Sequence, residues 1–224
     1  MREKFYKIAV SKHLNSSSSV LVVGAGPLDI KVFNDLGFKK VRFTNLVTNK
    51  KFSQIKFRNM ENLKYPDNSF DYAVVHASLH HTSKPYKGIY EMFRVSRKGI
   101  LIIESHDNFV MRLLIKFNLT EDIEVSSIKY GGLAINKGGV DGTNIPNYIY
   151  RFTERELTKF SKALDFNKSH KIYFDHYLSL DNIESRFSKG FLGKTLKFII
   201  VKLALIFFFI FKKQKNELSF FLEK

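Results

Sequence analysis

Short runs of consecutive apolar residues alternate with segments of helical spacing along the first half of the chain. The run Val20-Leu21-Val22-Val23 is apolar at every position, as expected for a strand buried on both faces of a parallel sheet. Residues 28–36 carry apolar side chains at helical spacing, and Gly37 is placed to end that helix. Further strands are predicted at 41–43, 55–57, 70–75 and 100–103, with a helix at 87–95. The alternation predicts an α/β fold with a doubly wound, mostly parallel sheet.

The regular alternation stops after Glu104 and resumes at Thr153, where Thr153 and Glu156 form a predicted capping box. Residues 106–150 hold one helix-like piece, 109–117, and a glycine-rich stretch, so they are predicted to be a lid or substrate insertion after the fifth strand. A sixth strand is predicted at 171–174. The predicted organisation is an N-terminal helix and spacer at 1–19, a core at 20–105, the insertion at 106–150 and a C-terminal part of the sheet at 151–224.

The C-terminal part contains a strongly apolar segment, predicted as a helix over 196–211, which Lys202 interrupts. Its fourteen most apolar residues, 198–211, would span roughly 21 Å as a helix, short of the ~30 Å hydrocarbon core of a bilayer. Lysines follow it at 212, 213 and 215. One hypothesis is a half-inserted membrane anchor with lysines at the headgroups. The alternative is a helix packed on the sheet and leading to a last strand at 218–222, and a true membrane span is the least favoured.

Charge and cysteine content restrict the partners, the chemistry and the location that can be expected for the protein. The chain has 37 Lys and Arg against 21 Asp and Glu, a formal charge of +16, which favours an anionic partner such as a membrane surface or a phosphorylated substrate. A lysine-rich solvated surface explains the same excess. The absence of Cys excludes disulfides, thiolate nucleophiles and Cys-ligated metals, and no metal site is predicted. The N-terminus has no continuous apolar stretch, so the predicted location is cytoplasmic, or peripheral on the inner membrane face.

A glycine-rich turn joins the first strand to the next helix. Gly24-Ala25-Gly26 allows a ligand to approach the backbone, and the following helix N-terminus offers free N–H groups to an anionic or polar ligand. Leu28 stands where the usual dinucleotide pattern has its third glycine. The turn alone is therefore weak evidence, because a nucleotide-binding oxidoreductase would begin in the same way.

A second set of motifs is more specific. It consists of Asn59-Met60-Glu61-Asn62-Leu63 with Tyr65-Pro66-Asp67-Asn68-Ser69-Phe70-Asp71, then Leu79-His80-His81, then Glu91-Met92-Phe93-Arg94-Val95 before the fifth strand. Over residues 20–104 this order resembles the class I S-adenosylmethionine (SAM) dependent methyltransferases of the methyltransferase-11 type. The resemblance implies a seven-stranded Rossmann-like methyltransferase fold, SAM as cofactor, and the following cofactor-binding residues: Gly24, Ala25, Gly26, Pro27, Leu28, Asn45, Leu46, Asn59, Met60, Glu61, His76, Ala77 and Ser78.

The sequence departs from the family pattern at acidic positions. Val22, Asn45 and Asn59 stand where carboxylates are usual, and an amide cannot hold two ribose hydroxyls as a carboxylate does. The helix between the second and third strands is also nearly missing. Three hypotheses remain open: a divergent active enzyme, a SAM-binding but inactive relative that serves as a partner subunit, and a degenerate fold with another ligand.

Candidate side chains for the chemistry follow the strands and lie in the insertion. His80 and His81 are the candidate bases, since His titrates near neutrality, although one of them would also serve as a structural residue. Glu104 is expected to organise the site rather than to act in it. Residues predicted to contact the acceptor are His106, Asp107, Tyr130, Asn144, Tyr148 and Arg151. The alternative for this set is that Tyr148 packs the insertion and Arg151 pairs with Glu154 or Glu156.

The predicted function is methyl transfer from SAM to oxygen or nitrogen of a small, sugar-like or lipid-linked acceptor. A long insertion favours a substrate that must be enclosed, and the basic charge favours an anionic or membrane-bound one. Nucleic acid is not an expected partner, because the sequence has no basic stripe interleaved with aromatic residues. The oligomeric state and the acceptor atom are left open by the sequence.

Overall fold

A seven-stranded sheet forms the centre of the computed structural model, which describes residues 2–130, 137–180 and 190–224. The strands in these residues are β1 Ser19–Val23, β2 Lys40–Asn45, β3 Ile55–Phe57, β4 Phe70–His76, β5 Ser96–Ser105, β6 Ile123–Glu124, β7 Asn147–Tyr148, β8 Lys171–Tyr177 and β9 Glu217–Glu223. In the large sheet the order is β3-β2-β1-β4-β5-β9-β8, and β6 and β7 form a separate pair. Pairing is parallel from β3 to β5, while β9 runs antiparallel to both β5 and β8. The predicted fold class is confirmed.

Helices lie on both faces of this sheet, α1 and α2 on one and α3 and α6 on the other. The helices of the described residues are α1 Arg2–His13, α2 Pro27–Asp35, α3 Pro85–Val95, α4 Phe109–Lys116, α5 Ser126–Tyr130, α6 Glu154–Leu164 and α7 Gly190–Ile210. Alternate residues of β1 face opposite sides: Val22 joins the apolar cluster under α1 and α2, whereas Leu21 joins the cluster under α3 and α6. Because β1 is buried on both faces, every residue of Val20–Val23 must be apolar, which explains the uninterrupted run.

Strand order places a crevice at one edge of the sheet. The neighbouring strands β1 and β4 lead to helices on opposite faces of the sheet. A crevice therefore opens between the two helical layers at the carboxyl ends of these strands. The segment between β2 and β3 contributes only a 3₁₀ turn, Lys50–Phe52, and this confirms the predicted lack of a full helix there. The predicted capping box is confirmed too, because Thr153 Oγ1 accepts from the Glu156 N–H at 3.0 Å.

The insertion after β5 folds as several short pieces rather than as one element. Helix α4 is followed by β6, α5, a 3₁₀ turn at Val140–Gly142, and β7, which pairs with β6. Arg151 ties the end of the insertion to its start, since its guanidinium donates to Asp122 Oδ1 at 2.7 Å. Gly131 and Gly132, which belong to the glycine-rich stretch of the insertion, lie outside the described residues.

Helix α7 is exposed along most of its length. Leu203, Ile206 and Phe209 are 62%, 60% and 77% exposed. The alternative in which this helix packs on the sheet is therefore wrong, although the strand predicted after it is confirmed as β9. The helix begins at Gly190, earlier than its apolar pattern indicated, because two lysines in its first half, at 194 and 197, obscure that pattern. Among the described residues, no helix is long and apolar enough to cross a membrane.

Candidate functional site

A cavity of about 390 Å³ opens where the carboxyl ends of β1, β2 and β4 meet the insertion. Its volume lies within the range of small-molecule sites, and its position is the one where ligands bind in open α/β sheets. The core contributes Gly24, Gly26, Pro27, Asn45, Leu46, Val47, Arg58, Asn59, Met60, Ser78, His81 and Thr82 to the lining, and the insertion contributes Glu124, Ser126, Ser127, Lys137, Gly138, Gly139, Asp141 and Gly142.

The Gly24 turn forms the floor of the cavity. Gly24 has φ +66°, a left-handed conformation that costs other residues free energy. A Cβ at this position would lie 2.5 Å from Ser78 Cβ, so the two loops approach each other as closely as a glycine permits. Ser78 Oγ donates to the Gly24 carbonyl at 2.9 Å and fixes that approach.

The N-terminus of α2 is capped from within. Asp29 Oδ2 accepts from the Gly26 N–H at 2.7 Å, and Asp29 Oδ1 accepts from the Tyr6 hydroxyl at 2.7 Å. Burial raises the pKa of Asp29 to about 6, although these hydrogen bonds oppose the shift. The N–H group of Gly26, the N-cap of α2, is therefore occupied by the protein's own carboxylate.

Two amides line the cavity where carboxylates were expected. Asn45 Nδ2 donates to the Ala25 carbonyl at 2.9 Å, and its Oδ1 accepts from the Val47 N–H at 3.0 Å. Asn59 Oδ1 accepts from the Glu61 N–H at 2.8 Å. Each amide thus stabilises the loop that carries it and retains one acceptor lone pair for a ligand.

Glu104 organises the loop after β4, as the sequence predicted. It is only 2% exposed, and its Oε1 accepts from the Ser78 and Leu79 N–H groups at 2.7 and 2.6 Å. Its Oε2 lies 2.9 Å from His80 Nδ1. One buried carboxylate therefore fixes three consecutive residues at the edge of the cavity.

The two adjacent histidines have different electrostatic environments. Burial lowers the pKa of His80, but Glu104 and Glu124 outweigh burial and raise it to about 9. Burial and the neighbouring charge on His80 lower the pKa of His81. Near neutral pH the ion-free protein therefore carries a protonated His80 and a neutral His81, so only His81 can accept a proton.

His81 is held by the insertion. Its Nδ1 lies 2.9 Å from the Gly138 carbonyl oxygen and 2.9 Å from Asn147 Nδ2. Glu124 Oε2 lies 3.6 Å from the Nε2 atoms of both His80 and His81. The end of β4 and the β6–β7 pair thus bring two imidazoles and a carboxylate together.

Eight of the predicted cofactor-binding residues line the cavity: Gly24, Gly26, Pro27, Asn45, Leu46, Asn59, Met60 and Ser78. Ala25, Leu28, Glu61 and Ala77 lie in the same loops but are not part of the lining. His76 is placed differently from the expectation, because its ring stacks on Tyr6 of α1 at 4.3 Å. Burial and the charge of Arg2 lower its pKa to about 3.

The residues predicted to contact the acceptor are dispersed. His106 and Asp107 turn away from the cavity, because His106 Nδ1 lies 3.0 Å from the Lys215 carbonyl oxygen and Asp107 pairs with Arg112. Arg151 binds Asp122 rather than Glu154 or Glu156, so the predicted pairing with those residues is wrong, while its contact with the acceptor stays a prediction. Tyr148 and Asn144 are exposed and do not line the cavity. For Tyr130 only the backbone, at the end of α5, is described.

Sequence reasoning missed several polar lining residues, above all Glu124, Lys137 and Asp141 from the insertion and Arg58 after β3. The insertion has no periodic pattern, so nothing in the sequence indicated which of its carboxylates would face His80 and His81. Asn147 lies within the predicted insertion and is buried. Its contact with His81 depends on how the insertion folds back against the loop after β4, and no local sequence pattern encodes that contact.

The lining has the groups needed for a zwitterionic ligand of moderate size. Arg58 and Lys137 supply positive charge, Glu124 and Asp141 supply negative charge, and Asn45 and Asn59 keep free acceptor lone pairs. The Gly24 turn lets such a ligand lie directly on the backbone. These features fit SAM, which combines an amino acid, a ribose and an adenine.

Comparison with known proteins identifies similarity in part of the sequence and in the fold. A family model described as a methyltransferase domain matches residues 35–103, from the end of α2 to β5. No curated protein shows a significant match to the chain. The family match confirms the resemblance seen in the motifs, and with it the enzyme class and SAM as the cofactor.

Solved structures of the same fold match nearly the whole chain at low identity. A SAM-dependent methyltransferase from Thermotoga maritima, described as a possible histamine N-methyltransferase, has a TM-score of 0.54 at 14% identity, with 100% of this chain and 91% of that chain covered. The 1,6-didemethyltoxoflavin-N1-methyltransferase of Burkholderia thailandensis, crystallised with S-adenosylhomocysteine, gives 0.57 at 14% identity, covering 100% and 78%. A 4+2 cyclase gives 0.56 at 14% identity, covering 99% and 81%. At such identities the likeness establishes the fold, which also carries chemistry other than methyl transfer.

Proposed function

Starting from the methyltransferase domain over residues 35–103, we propose that this chain transfers the methyl group of SAM to oxygen or nitrogen of a small or lipid-linked acceptor. The observation that carries the proposal is the cavity on the Gly24 turn, closed on its far side by the insertion. Such an arrangement holds a donor on the core and an acceptor beneath the insertion.

The donor side is formed by the loops after β1, β2 and β3. Gly24, Asn45 and Asn59 are its proposed contacts, through backbone approach at the first and amide acceptors at the other two. SAM supplies an electrophilic methyl group on sulfur, and displacement at that carbon needs the acceptor atom in line with the bond that breaks. The task of these residues is therefore to hold the donor and to exclude water.

The acceptor side is formed by the loop after β4 and by the insertion. His81, Glu124 and Asp141 supply its polar groups, and His81 has the depressed pKa that leaves it neutral and able to accept a proton from a hydroxyl or amine. His80 is held in place by Glu104 and keeps its proton. Of the two predicted bases, we therefore assign the proton-accepting role to His81.

A membrane surface is the proposed site of action, and α7 is the observation behind it. This helix exposes a broad apolar face that includes Leu203, Ile206 and Phe209, and residues 185–216 include eight Lys or Arg and no Asp or Glu. An apolar helix with only cationic neighbours suits the interface of an anionic bilayer, where lysines reach the headgroups. The turn after α7 contacts α4, because Gln214 Oε1 accepts from the Val110 N–H at 3.2 Å, so the insertion lies near the C-terminal end of α7.

Turnover is tested by incubating the full chain with SAM and candidate acceptors from membrane and cytosolic extracts, with formation of S-adenosylhomocysteine as the signal. We expect acceptor-dependent S-adenosylhomocysteine with the natural chain, and none above background with Gly24→Ala. Equal formation in both proteins contradicts the site. Mass spectrometry of the methylated product then identifies the acceptor.

Membrane association is tested by sedimentation with vesicles of 30% phosphatidylserine or of phosphatidylcholine alone. The variant Leu203→Gln/Ile206→Gln/Phe209→Gln removes exposed apolar side chains from α7, and Ile8→Gln/Tyr90→Gln/Phe166→Gln removes equally exposed ones elsewhere. We expect the anionic vesicles to bind the natural chain and the second variant but not the first. Equal sedimentation of all three proteins removes the membrane proposal and leaves the methyltransferase proposal intact.

A second candidate function, a SAM-binding partner subunit without turnover, is supported by Asn45. Both ends of its amide are engaged by backbone groups, so its hold on a ribose is weaker than that of a carboxylate. Binding of SAM with no S-adenosylhomocysteine formed, across all acceptor extracts and pH values, would favour this function over the first.

A further inference from the structure

Three potential metal ligands converge at the boundary between the core and the insertion. His80, His81 and Glu124 each offer one ligand atom, and the three atoms lie within 4.8 Å of one another. The two separations from Glu124 Oε2 to the imidazole Nε2 atoms are both 3.6 Å. Ligands bound 2.0–2.2 Å from a tetrahedral metal lie about 3.3–3.5 Å apart, so these two separations are within a few tenths of an ångström of that geometry.

The remaining ring nitrogens are held as they are in histidines that bind metals. His80 Nδ1 lies 2.9 Å from Glu104 Oε2, and His81 Nδ1 lies 2.9 Å from the Gly138 carbonyl oxygen. His81 Nδ1 also lies 2.9 Å from Asn147 Nδ2, and in both histidines Nε2 is the ring nitrogen directed at Glu124. A carboxylate or a carbonyl behind the imidazole orients the ring and makes it a stronger ligand.

A fourth polar group lies beside the cluster. Asn147 is 1% exposed, and its Nδ2 lies 3.3 Å from Glu124 Oε2 and 3.2 Å from Ser127 Oγ. Its Oδ1 has no hydrogen-bond partner among the described residues. A buried amide oxygen without a partner is costly unless a water or an ion satisfies it, and a hydrated metal would supply both.

We propose that His80, His81 and Glu124 bind a divalent first-row transition ion such as Zn²⁺. Two imidazoles and one carboxylate suit Zn²⁺, Co²⁺ or Fe²⁺, whereas Mg²⁺ and Ca²⁺ prefer oxygen ligands alone. Three protein ligands leave at least one position open, which is the arrangement of catalytic rather than structural zinc sites.

The open position faces the proposed acceptor. His81 and Glu124 both line the cavity, on the side of the insertion. An ion there binds an acceptor hydroxyl and lowers its pKa, so the proton leaves to solvent and the oxygen attacks the methyl carbon as the carbon–sulfur bond breaks. His81 is then a ligand rather than the base. Only this catalytic role rests on the proposed function; binding of the ion does not.

The ion also links two parts of the chain. Glu124 lies in β6 of the insertion, and the histidines follow β4 of the core. Glu104 Oε2 lies 2.9 Å from His80 Nδ1, and Glu124 Oε2 lies 3.6 Å from His80 Nε2. A divalent ion bound by both histidines and by Glu124 holds the insertion against the core.

The test is a titration of the full chain, after treatment with a chelator, with Co²⁺ and Zn²⁺ at pH 7.5. We expect one equivalent of Co²⁺ to bind below about 10 µM with visible absorption typical of four- or five-coordination, and Zn²⁺ to displace it. Glu124→Gln and His81→Asn should weaken binding at least tenfold, whereas Glu121→Gln, an exposed neighbour, should not change it. Circular dichroism of each variant shows whether it is folded.

Two results overturn the proposal: no Co²⁺ binding at 100 µM by the natural chain, or binding that Glu124→Gln and His81→Asn leave unchanged while both are folded. SAM binding by the same samples keeps the two proposals separate. A chain that binds SAM but no Co²⁺ loses the metal site alone, and a chain that binds Co²⁺ but no SAM loses the methyltransferase function alone.

Discussion

Replacing Gly24 by alanine tests how the floor of the cavity is built. Gly24 has φ +66°, and a Cβ added there would lie 2.5 Å from Ser78 Cβ, which leaves no room for a methyl group. The left-handed backbone costs an alanine about 1–2 kcal/mol. Moving Ser78 costs about 1–3 kcal/mol more, the usual range for overpacking, because Glu104 holds the Ser78 N–H in place. Gly24→Ala should therefore lower the free energy of unfolding by about 2–5 kcal/mol.

Gly37→Ala is the matched control. Gly37 has φ +75°, and a Cβ there meets nothing within 4 Å. It should cost only the backbone part, about 1–2 kcal/mol, and should leave the affinity for SAM unchanged. Urea denaturation gives the free energies of unfolding, and isothermal titration gives the SAM affinities, for which we expect a loss of more than tenfold in Gly24→Ala alone.

A rescue variant separates the clash from the backbone cost. Ser78→Gly removes both the Cβ and the Oγ that the new methyl group would meet. The double variant Gly24→Ala/Ser78→Gly should be more stable than the sum of the two single effects by at least about 1 kcal/mol. Additive losses, or an equal loss of SAM affinity in Gly37→Ala, would refute the explanation based on close approach of these loops.

Three further predictions address the buried polar groups. Glu104→Ala leaves two N–H groups and His80 without their carboxylate, so urea denaturation should show a loss of about 3–5 kcal/mol, against less than about 0.5 kcal/mol for the exposed Glu121→Ala. The lowered pKa of His76, about 3, means that the unfolded chain binds a proton that the folded chain does not, so stability falls as pH drops from the usual His value toward 3. His76→Phe should reduce that slope by about 1.4 kcal/mol per pH unit, measured by denaturation between pH 6 and pH 4, and an unchanged slope would contradict the assignment. Thr153→Ala removes the cap of α6 and should cost about 1 kcal/mol by urea denaturation, with SAM affinity retained; a loss of affinity would show that α6 influences the cavity.

Local sequence patterns predicted the fold because burial in the core restricts the strands to apolar residues. The apolar run at Val20–Val23 follows from burial on both faces of the sheet. The Thr153 capping box marks the start of α6, as the hydrogen bond from the Glu156 N–H to Thr153 Oγ1 shows. The position of His76 was also within reach of the sequence. Alternate residues of β4 face opposite layers, and Val74 packs with α1 and α2, so His76 must face the same layer rather than the cavity.

The sequence predicted where the insertion lies in the chain but not how it folds. Its residues meet the core through single contacts between distant positions, such as His81 with Gly138 and Arg151 with Asp122. No periodicity encodes such contacts, so the sequence could not select Glu124 from the acidic residues of the insertion. Helix α7 was predicted as a helix, but its pattern did not distinguish an exposed helix from a buried one. An apolar segment normally indicates burial, and here most of the large apolar side chains are exposed.

Calorimetric titration of the full chain with SAM and with S-adenosylhomocysteine tests the central claim most directly. The cavity on the Gly24 turn predicts one binding site, with micromolar affinity, for which the two ligands compete. Binding should be lost in Gly24→Ala and kept in Gly37→Ala. Absence of binding to either ligand at near-millimolar concentration would contradict the account.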